Sequence, residues 1–533
     1  MSIIKFKHSL SYYLKLFDTR KANNDLLGAL DAGRNAFKYA RTRIDKDSIN
    51  LLLGQVYYDM ELYTLSCDYY FRAIEVGYCR AGAYFGVGRN LVRLERYLSA
   101  LDYFDKVLEW DVDNLFTQSV LEWTDYIKQQ INYKEKNNIK DDLTKNIKKC
   151  IKHNNYVNAF QLINEMVQNN GDKTVASLYE IECYVAMQDF DRARQLCKLL
   201  LTEQPDNADA RLLMCAICKY DGDETSLLTH LGYIKQENLS DMQLLSFAQL
   251  YASVQKYDFA IDILKKILKN KPYSSRVNLY IAICYNNVCD KENALYYLAQ
   301  ARWIDYENPI LLDFHKIFET ENVVLPLTEK LSNERYQQKL TVIQNNLLNN
   351  NFAQRWIHSP LLMEQTDWLL CSGNCDVLKL MAKTFCNSKH KCIKNYYKHA
   401  LLSVRPSMQQ KFILAREAVV GGFLKVVNLN ANLVYRSFYS KLPKFCYVND
   451  SFKNSVINAW IYVECYANKT DIFANAKQLY RRLIMQEKNE IIEENVLTCL
   501  MFYNDFKIFD RVCKYFDVDI AAVENAKNIL NLV

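Results

Sequence analysis

Small and apolar side chains recur in this chain at a separation of 34 residues. Gly54 lies 34 positions before Gly88, Ser66 before Ala100, and Tyr70 before Phe104. Glu61-Leu62-Tyr63 aligns in the same way with Glu95-Arg96-Tyr97. The lag of 34 returns between Ala159 and Ala193, and between Ala260 and Ala294. Pro205 and Pro272 each stand twelve residues beyond their alanine, where a helix should stop. A fixed period of this length marks a stacked array of supersecondary units.

Each unit reads as two helices of about a dozen residues folded into an antiparallel hairpin. The small residue lets the second helix approach the first. An apolar residue four positions on (Phe104, Leu264 or Leu298) falls on the same face one turn later and fills the seam. Turns fall at Gln188-Asp189-Phe190-Asp191, Gln255-Lys256-Tyr257-Asp258 and Cys289-Asp290-Lys291-Glu292. There an acidic residue can sit at or near the N-cap of the second helix. Only 13 Gly and 7 Pro punctuate 533 residues, too few for the tight turns of a sandwich, barrel or dinucleotide fold. The expected class is all-α: a solenoid of helical hairpins with a mostly helical C-terminal region.

Leu53, Gly54, Tyr57, Tyr70 and Ala73 in one unit, and Ala260, Leu264, Ile267 and Pro272 in a later one, resemble the tetratricopeptide repeat family over roughly residues 10–320. The resemblance implies an α-superhelix whose concave face, lined by first helices, holds a protein or peptide segment without catalysis. Some members grip a C-terminal carboxylate with a Lys and an Asn on the first repeat. Leu51 and Gln55 stand at the matching places, so that grip is not expected.

The period divides the chain into a first block at 1–131, a polar stretch at 132–142 read as a linker in preference to an exposed extension between two helices, a second block at 143–321, and a region 322–533 that is either a separate helical domain or a divergent continuation. Asn322-Val-Val-Leu-Pro326 breaks the pattern. Farther on, two β-prone runs around Asn430-Ala-Asn432 read as a short β-hairpin near 423–438, with a Val-rich helix as the competing reading.

First helices present positions i, i+4 and i+7 or i+8 to one side. That projection selects Gln55, Tyr58, Asp59, Phe85, Arg89 and Arg93 in the first block, and Glu182, Gln249, Asn286 and Asn287 in the second, as a partner-binding groove. Arg89 and Arg93 lie one turn apart and can converge on one anion, or they pair with neighbours such as Asp59. Amides, rings and a few charges suit a peptide recognised through main chain and side chains together.

Other chemistries are weakly supported. Cys371, Cys375, Cys386, His390 and Cys392 are near one another but lack a tight Cys-x2-Cys pair, and no metal is assigned to them. Lys389, Lys391, Lys394, Tyr396, Tyr397, Lys398, His399 and Arg405 form a basic aromatic stretch. It supports an alternative function, a nucleic-acid-associated regulator, but also reads as one solvated stripe with a ring packed inward. No phosphate-binding loop, metalloprotease motif or nucleophile elbow is found, so neither an enzyme nor a cofactor is expected. A net charge of +6 spread over the chain gives no general pull toward nucleic acid or anionic lipid. The 17 cysteines sit within helical patterns, as buried thiols do. No apolar run reaches the ~18 residues that span a bilayer, and the N-terminal residues lack a signal-peptide core. The expected setting is cytoplasmic, the expected partner is a protein or peptide, and membrane, nucleic acid and small-molecule substrates are disfavoured.

Overall fold

A computed structural model describes residues 9–439, apart from positions 138, 153, 170, 171, 322, 350 and 389. The rest of the 322–533 region lies outside the described residues. The fold is all-α, with 24 helices and one two-stranded sheet among the described residues. The described residues divide into two compact units, one within 1–120 and 332–439, the other within 121–331.

The first unit opens with three hairpins: α1 (Leu10–Ala22) with α2 (Leu26–Tyr39), α3 (Arg43–Asp59) with α4 (Tyr63–Val76), and α5 (Arg80–Arg93) with α6 (Tyr97–Trp110). α7 (Thr117–Asn137) leads into the second unit. There the hairpins are α8 (Ile139–Lys152) with α9 (Tyr156–Gln168), α10 (Lys173–Ala186) with α11 (Phe190–Glu203), and α12 (Ala208–Asp221) with α13 (Glu224–Gly232). They continue with α14 (Asp241–Ser253) and α15 (Tyr257–Asn270), then α16 (Ser275–Asn287) and α17 (Lys291–Ile304), and end on α18 (Pro309–Thr320). Residues 132–142, expected as a polar linker, contain the end of α7 and the start of α8, apart from position 138. The segment is polar, but it holds no Gly or Pro, and Lys and Glu are good helix formers.

The seams follow the sequence pattern. Ala100, Ala193, Ala260 and Ala294 are fully buried, and Phe104, Leu264 and Leu298 beside them are at most 1% exposed. Between the two helices of each hairpin one residue turns left-handed. Glu61, Glu95, Asn154, Gln188, Gln255 and Cys289 all have φ between 56° and 63°. The next amide reaches back five residues, as in Asp189 N–H to the Tyr184 carbonyl (2.9 Å) and Asp290 N–H to that of Tyr285 (2.9 Å). This is the C-terminal stop that glycine normally supplies. The following residue then caps the second helix, as Asp189 and Asp290 do by accepting the Arg192 and Asn293 amides.

Gly222 occupies the left-handed place one repeat after Gln188, at φ +73°. An L side chain there costs about 1–2 kcal/mol, and glycine gives back part of that gain as chain entropy. Gln188→Gly is therefore expected to stabilise the second unit by about 0.5–1 kcal/mol. A thermal melt with no upward shift would contradict this account of the turn.

After the second unit the chain returns to the first through α19 (Asn333–Leu347), α20 (Phe352–Trp356), α21 (Pro360–Ser372), α22 (Cys375–Cys386), α23 (Lys391–Leu402) and α24 (Met408–Val420). The hairpin follows, β1 (Val426–Ala431) antiparallel to β2 (Val434–Tyr439), with Asn428 opposite Ser437 and Ala431 opposite Val434. Its two-residue turn is Asn432-Leu433, both with positive φ, one step later than the sequence suggests. The Asn430 side chain stabilises it by accepting the Leu433 amide at 2.7 Å.

This C-terminal region packs on the second helices of the first block. Glu75 of α4 accepts from Lys398 (2.8 Å), from the Tyr435 hydroxyl (3.3 Å) and from the Asn428 amide. Asp68 accepts the Val404 amide at 3.1 Å, and the Tyr103 hydroxyl accepts that of Tyr435 at 2.6 Å.

Candidate functional site

In the first unit the selected side chains of α3 and α5 meet. Gln55 and Arg89 are separated by 34 residues and therefore face each other across adjacent first helices, where an Arg89 Nη donates to Gln55 Oε1 at 2.7 Å. The Arg89 guanidinium lies 4.5 Å from the centre of the Tyr58 ring and 4.9 Å from that of Phe85. Arg93 Nε stands 3.3 Å from the Tyr58 hydroxyl. Asp59 accepts from the Gln55 amide (2.7 Å) and pairs with Lys21 of α1 (3.3 Å). Arg89 is thus held by an amide and two ring faces, while Asp59 is engaged by Lys21 and Gln55. Phe85 contributes from below: it is only 9% exposed and packs against Phe104 and Phe116.

The second unit shows more. Residues 323–329, which follow α18, lie against the first helices α14 and α16. The Asn287 amide pairs with both main-chain groups of Leu325, donating to its carbonyl at 2.7 Å and accepting its N–H at 2.8 Å. Asn286 donates to the Val323 carbonyl (3.2 Å) and Gln249 to that of Leu327 (3.1 Å). The contacts fall on every second residue, 323, 325 and 327, and the chain then bends, with the Thr328 N–H donating to the Pro326 carbonyl at 2.8 Å. Burial separates the two leucines from the valines. Leu327 is 8% exposed and Leu325 packs against the unit's core, whereas Val323 and Val324 are 40% and 65% exposed. Beyond them Glu329 receives two guanidinium nitrogens of Arg276, at 2.9 and 2.8 Å. Asn286 is itself buried, so its amide serves the main chain beside it and not bulk water.

Glu182 of α10 does not join these contacts. Burial pushes its carboxyl above the usual range, the nearby Asp209 adds to that, and Lys148 opposes it.

Sequence reasoning placed Gln249, Asn286 and Asn287 on this face but missed what they hold. It also missed Arg276 and Glu329, which are 53 residues apart. The available signal was the alternation in Val-Val-Leu-Pro-Leu, read only as a break in helical pattern.

The other sequence leads disperse. Among the described residues no three His, Cys, Asp or Glu side chains come together to hold a metal. His390 instead caps α23 by accepting the Cys392 amide, and burial pushes the Cys386 thiol up to about 12. In the basic stretch, Lys389 lies outside the described residues. Tyr397 is fully buried and donates to the Leu414 carbonyl, Tyr396 donates to Asp367, and Lys394 lies over the Phe423 ring. These three groups are engaged in contacts within the fold. No described helix is long and apolar enough to cross a membrane.

Residues 145–301, within the second unit, match the family described as Intraflagellar transport protein 56. No curated protein matches the chain in sequence. Solved structures similar to it include the APC/C hetero-tetramer Cut9-Hcn1, at 12% identity and a TM-score of 0.25, covering 98% of this chain and 96% of that one. Yeast Tom70 is 12% identical with a TM-score of 0.22, over 98% of this chain and 96% of that one. The TPR domain of P58(IPK) is 11% identical with a TM-score of 0.20, over 90% of this chain and 99% of that one. At such TM-scores these alignments add no weight to the fold, which rests on the hairpins themselves. Hairpins at a 34-residue period, closed by Gly54, Gly88, Ala248 and Ala282 in first helices and by Ala100, Ala193, Ala260 and Ala294 in second helices, give this chain a fold of tetratricopeptide-repeat type.

Proposed function

We propose that the chain is a non-catalytic scaffold that binds a protein or peptide segment along its first-helix faces. The observation that carries this reading is the reciprocal pair between the Asn287 amide and the two main-chain groups of Leu325. A side-chain amide used in this way recognises an extended backbone whatever its sequence, while flanking apolar and charged contacts choose among sequences. The Tyr58, Arg89 and Arg93 cluster offers the first unit's counterpart, with the Arg89 guanidinium over the Tyr58 ring face and Arg93 at the Tyr58 hydroxyl. The match of residues 145–301 makes intraflagellar transport proteins the first partners to test.

A photo-crosslinking amino acid placed at Tyr58, and separately at Leu98 on the second helix α6, tests the choice of face. Leu98 is 73% exposed and serves as the control. Discrete partner adducts are expected from position 58 and not from position 98. Equal adducts from both, or adducts from position 98 alone, would reject the first-helix face as the binding surface.

A further inference from the structure

We infer that residues 323–329 are an internal pseudoligand, and that the partner of the second unit's first-helix face is a segment with the pattern Leu-x-Leu-x-Glu that bends at its second leucine. This rests on reading the first-helix faces as binding surfaces, and it names what one of them takes.

A segment that merely connects two units needs no main-chain recognition. Here three amides from two different helices meet main-chain groups at every second residue. Two leucines on the inward side reach the core, and Glu329 completes a charge-assisted pair with Arg276. Each element is a feature of a peptide complex: backbone pairing for register, alternate pockets for side chains, and one ion pair that fixes direction. The occupant is tethered to the wall it binds, so its effective concentration is high and an outside segment must displace it. Val324, between the contacted residues, is largely exposed, which leaves that position free to vary in a partner.

Competition of this kind has a readable signature. A face open only one time in ten shows about a tenfold weaker apparent affinity than the same face unblocked. The probe is a fluorescein-labelled synthetic peptide of residues 323–329, titrated by anisotropy against the full chain. Wild type is compared with Leu325→Ser/Leu327→Ser, which weakens the internal segment and leaves the wall intact. The opened variant should bind the probe at least about tenfold more tightly than wild type. Adding Asn287→Ala to it should abolish that gain, and so should a probe methylated on the main-chain nitrogen corresponding to Leu325. If the opened variant keeps its helical signal and melts as wild type does, yet binds no better, the inference is wrong. It is equally wrong if the gain survives Asn287→Ala. Should the double serine variant fail to fold, Glu329→Gln releases only the Arg276 pair and should still give about a threefold gain. No gain there also overturns the inference. Crosslinking from Tyr58 in the first unit is independent of these outcomes, so a blocked or unblocked second face can fail while the scaffold reading stands.

Discussion

Gly86→Ala is expected to destabilise the first unit by about 3 kcal/mol, far more than one methyl group usually costs. A Cβ built at Gly86 would lie 2.4 Å from Cζ of Tyr70. The ring cannot swing away. On its other side Gly54 of the preceding first helix is so close that its own Cβ would lie 2.8 Å from the same ring. Tyr70 is 2% exposed, and burial pushes its hydroxyl pKa up to about 12, so the ring is fixed in a dry seam. Relief would require α3 and α5 to move apart, which would open the Gln55–Arg89 contact as well. Two further variants separate overpacking from a general intolerance of alanine. Gly232→Ala adds its Cβ where nothing lies within 4 Å and should be neutral or slightly stabilising. Tyr70→Leu should rescue Gly86→Ala, making the double variant less damaged than the sum of the singles. Additive losses in denaturant unfolding would show that the ring is not the obstacle.

Gly86 also marks where the sequence stops being readable. The 34-residue lag pairs Gly54 with Gly88, and both do receive a ring from the following helix, Tyr70 and Phe104. Gly86 has no partner at that lag, because it contacts Tyr70 from the opposite side, through an interface between repeats and not within one. Periodicity reports what every unit repeats, so the alanine seams and the hairpin turns were legible. It is silent on contacts made once. The Leu325 clamp, the Arg276–Glu329 pair and the docking of Lys398, Asn428 and Tyr435 on Glu75 each join residues far apart in the chain. The left-handed turn residues were hidden for another reason. Glu61, Gln188 and Cys289 are not residues that announce positive φ, and only Gly222, Asn24 and Asn154 carry the usual signal. For the hairpin at Val426–Ala431 and Val434–Tyr439, β-branched residues gave the strands, but Leu433 at φ +66° is held by the Asn430 side chain and not by its own preference.

The contacts made once concentrate on α4, and the second large effect is expected there. Asp68 and Glu75 lie seven residues, two helical turns, apart on one face. Asp68 is 1% exposed, pairs with Arg72 at 3.4 Å and accepts the Val404 amide. Asp68→Ala would strand the Val404 N–H and remove the carboxylate from a largely buried guanidinium, a loss of about 3–5 kcal/mol. Glu75→Ala removes the acceptor shared by Lys398, Asn428 and Tyr435, but the Lys398 side chain is 41% exposed and water partly replaces that contact. Its cost should be smaller, about 2 kcal/mol, and carried mostly by the amide and the hydroxyl. The two losses differ in place as well as size. Amides of β1 and β2 should exchange faster in Glu75→Ala, because Asn428 and Tyr435 sit in those strands. Asp68→Ala should act first on the turn after α23, where Val404 lies. Amides of α16, in the other compact unit, should keep their protection in both variants. Faster exchange throughout α16 in either variant would mean that α4 supports the whole chain, and that its acids do more than seat the C-terminal region on the first three hairpins.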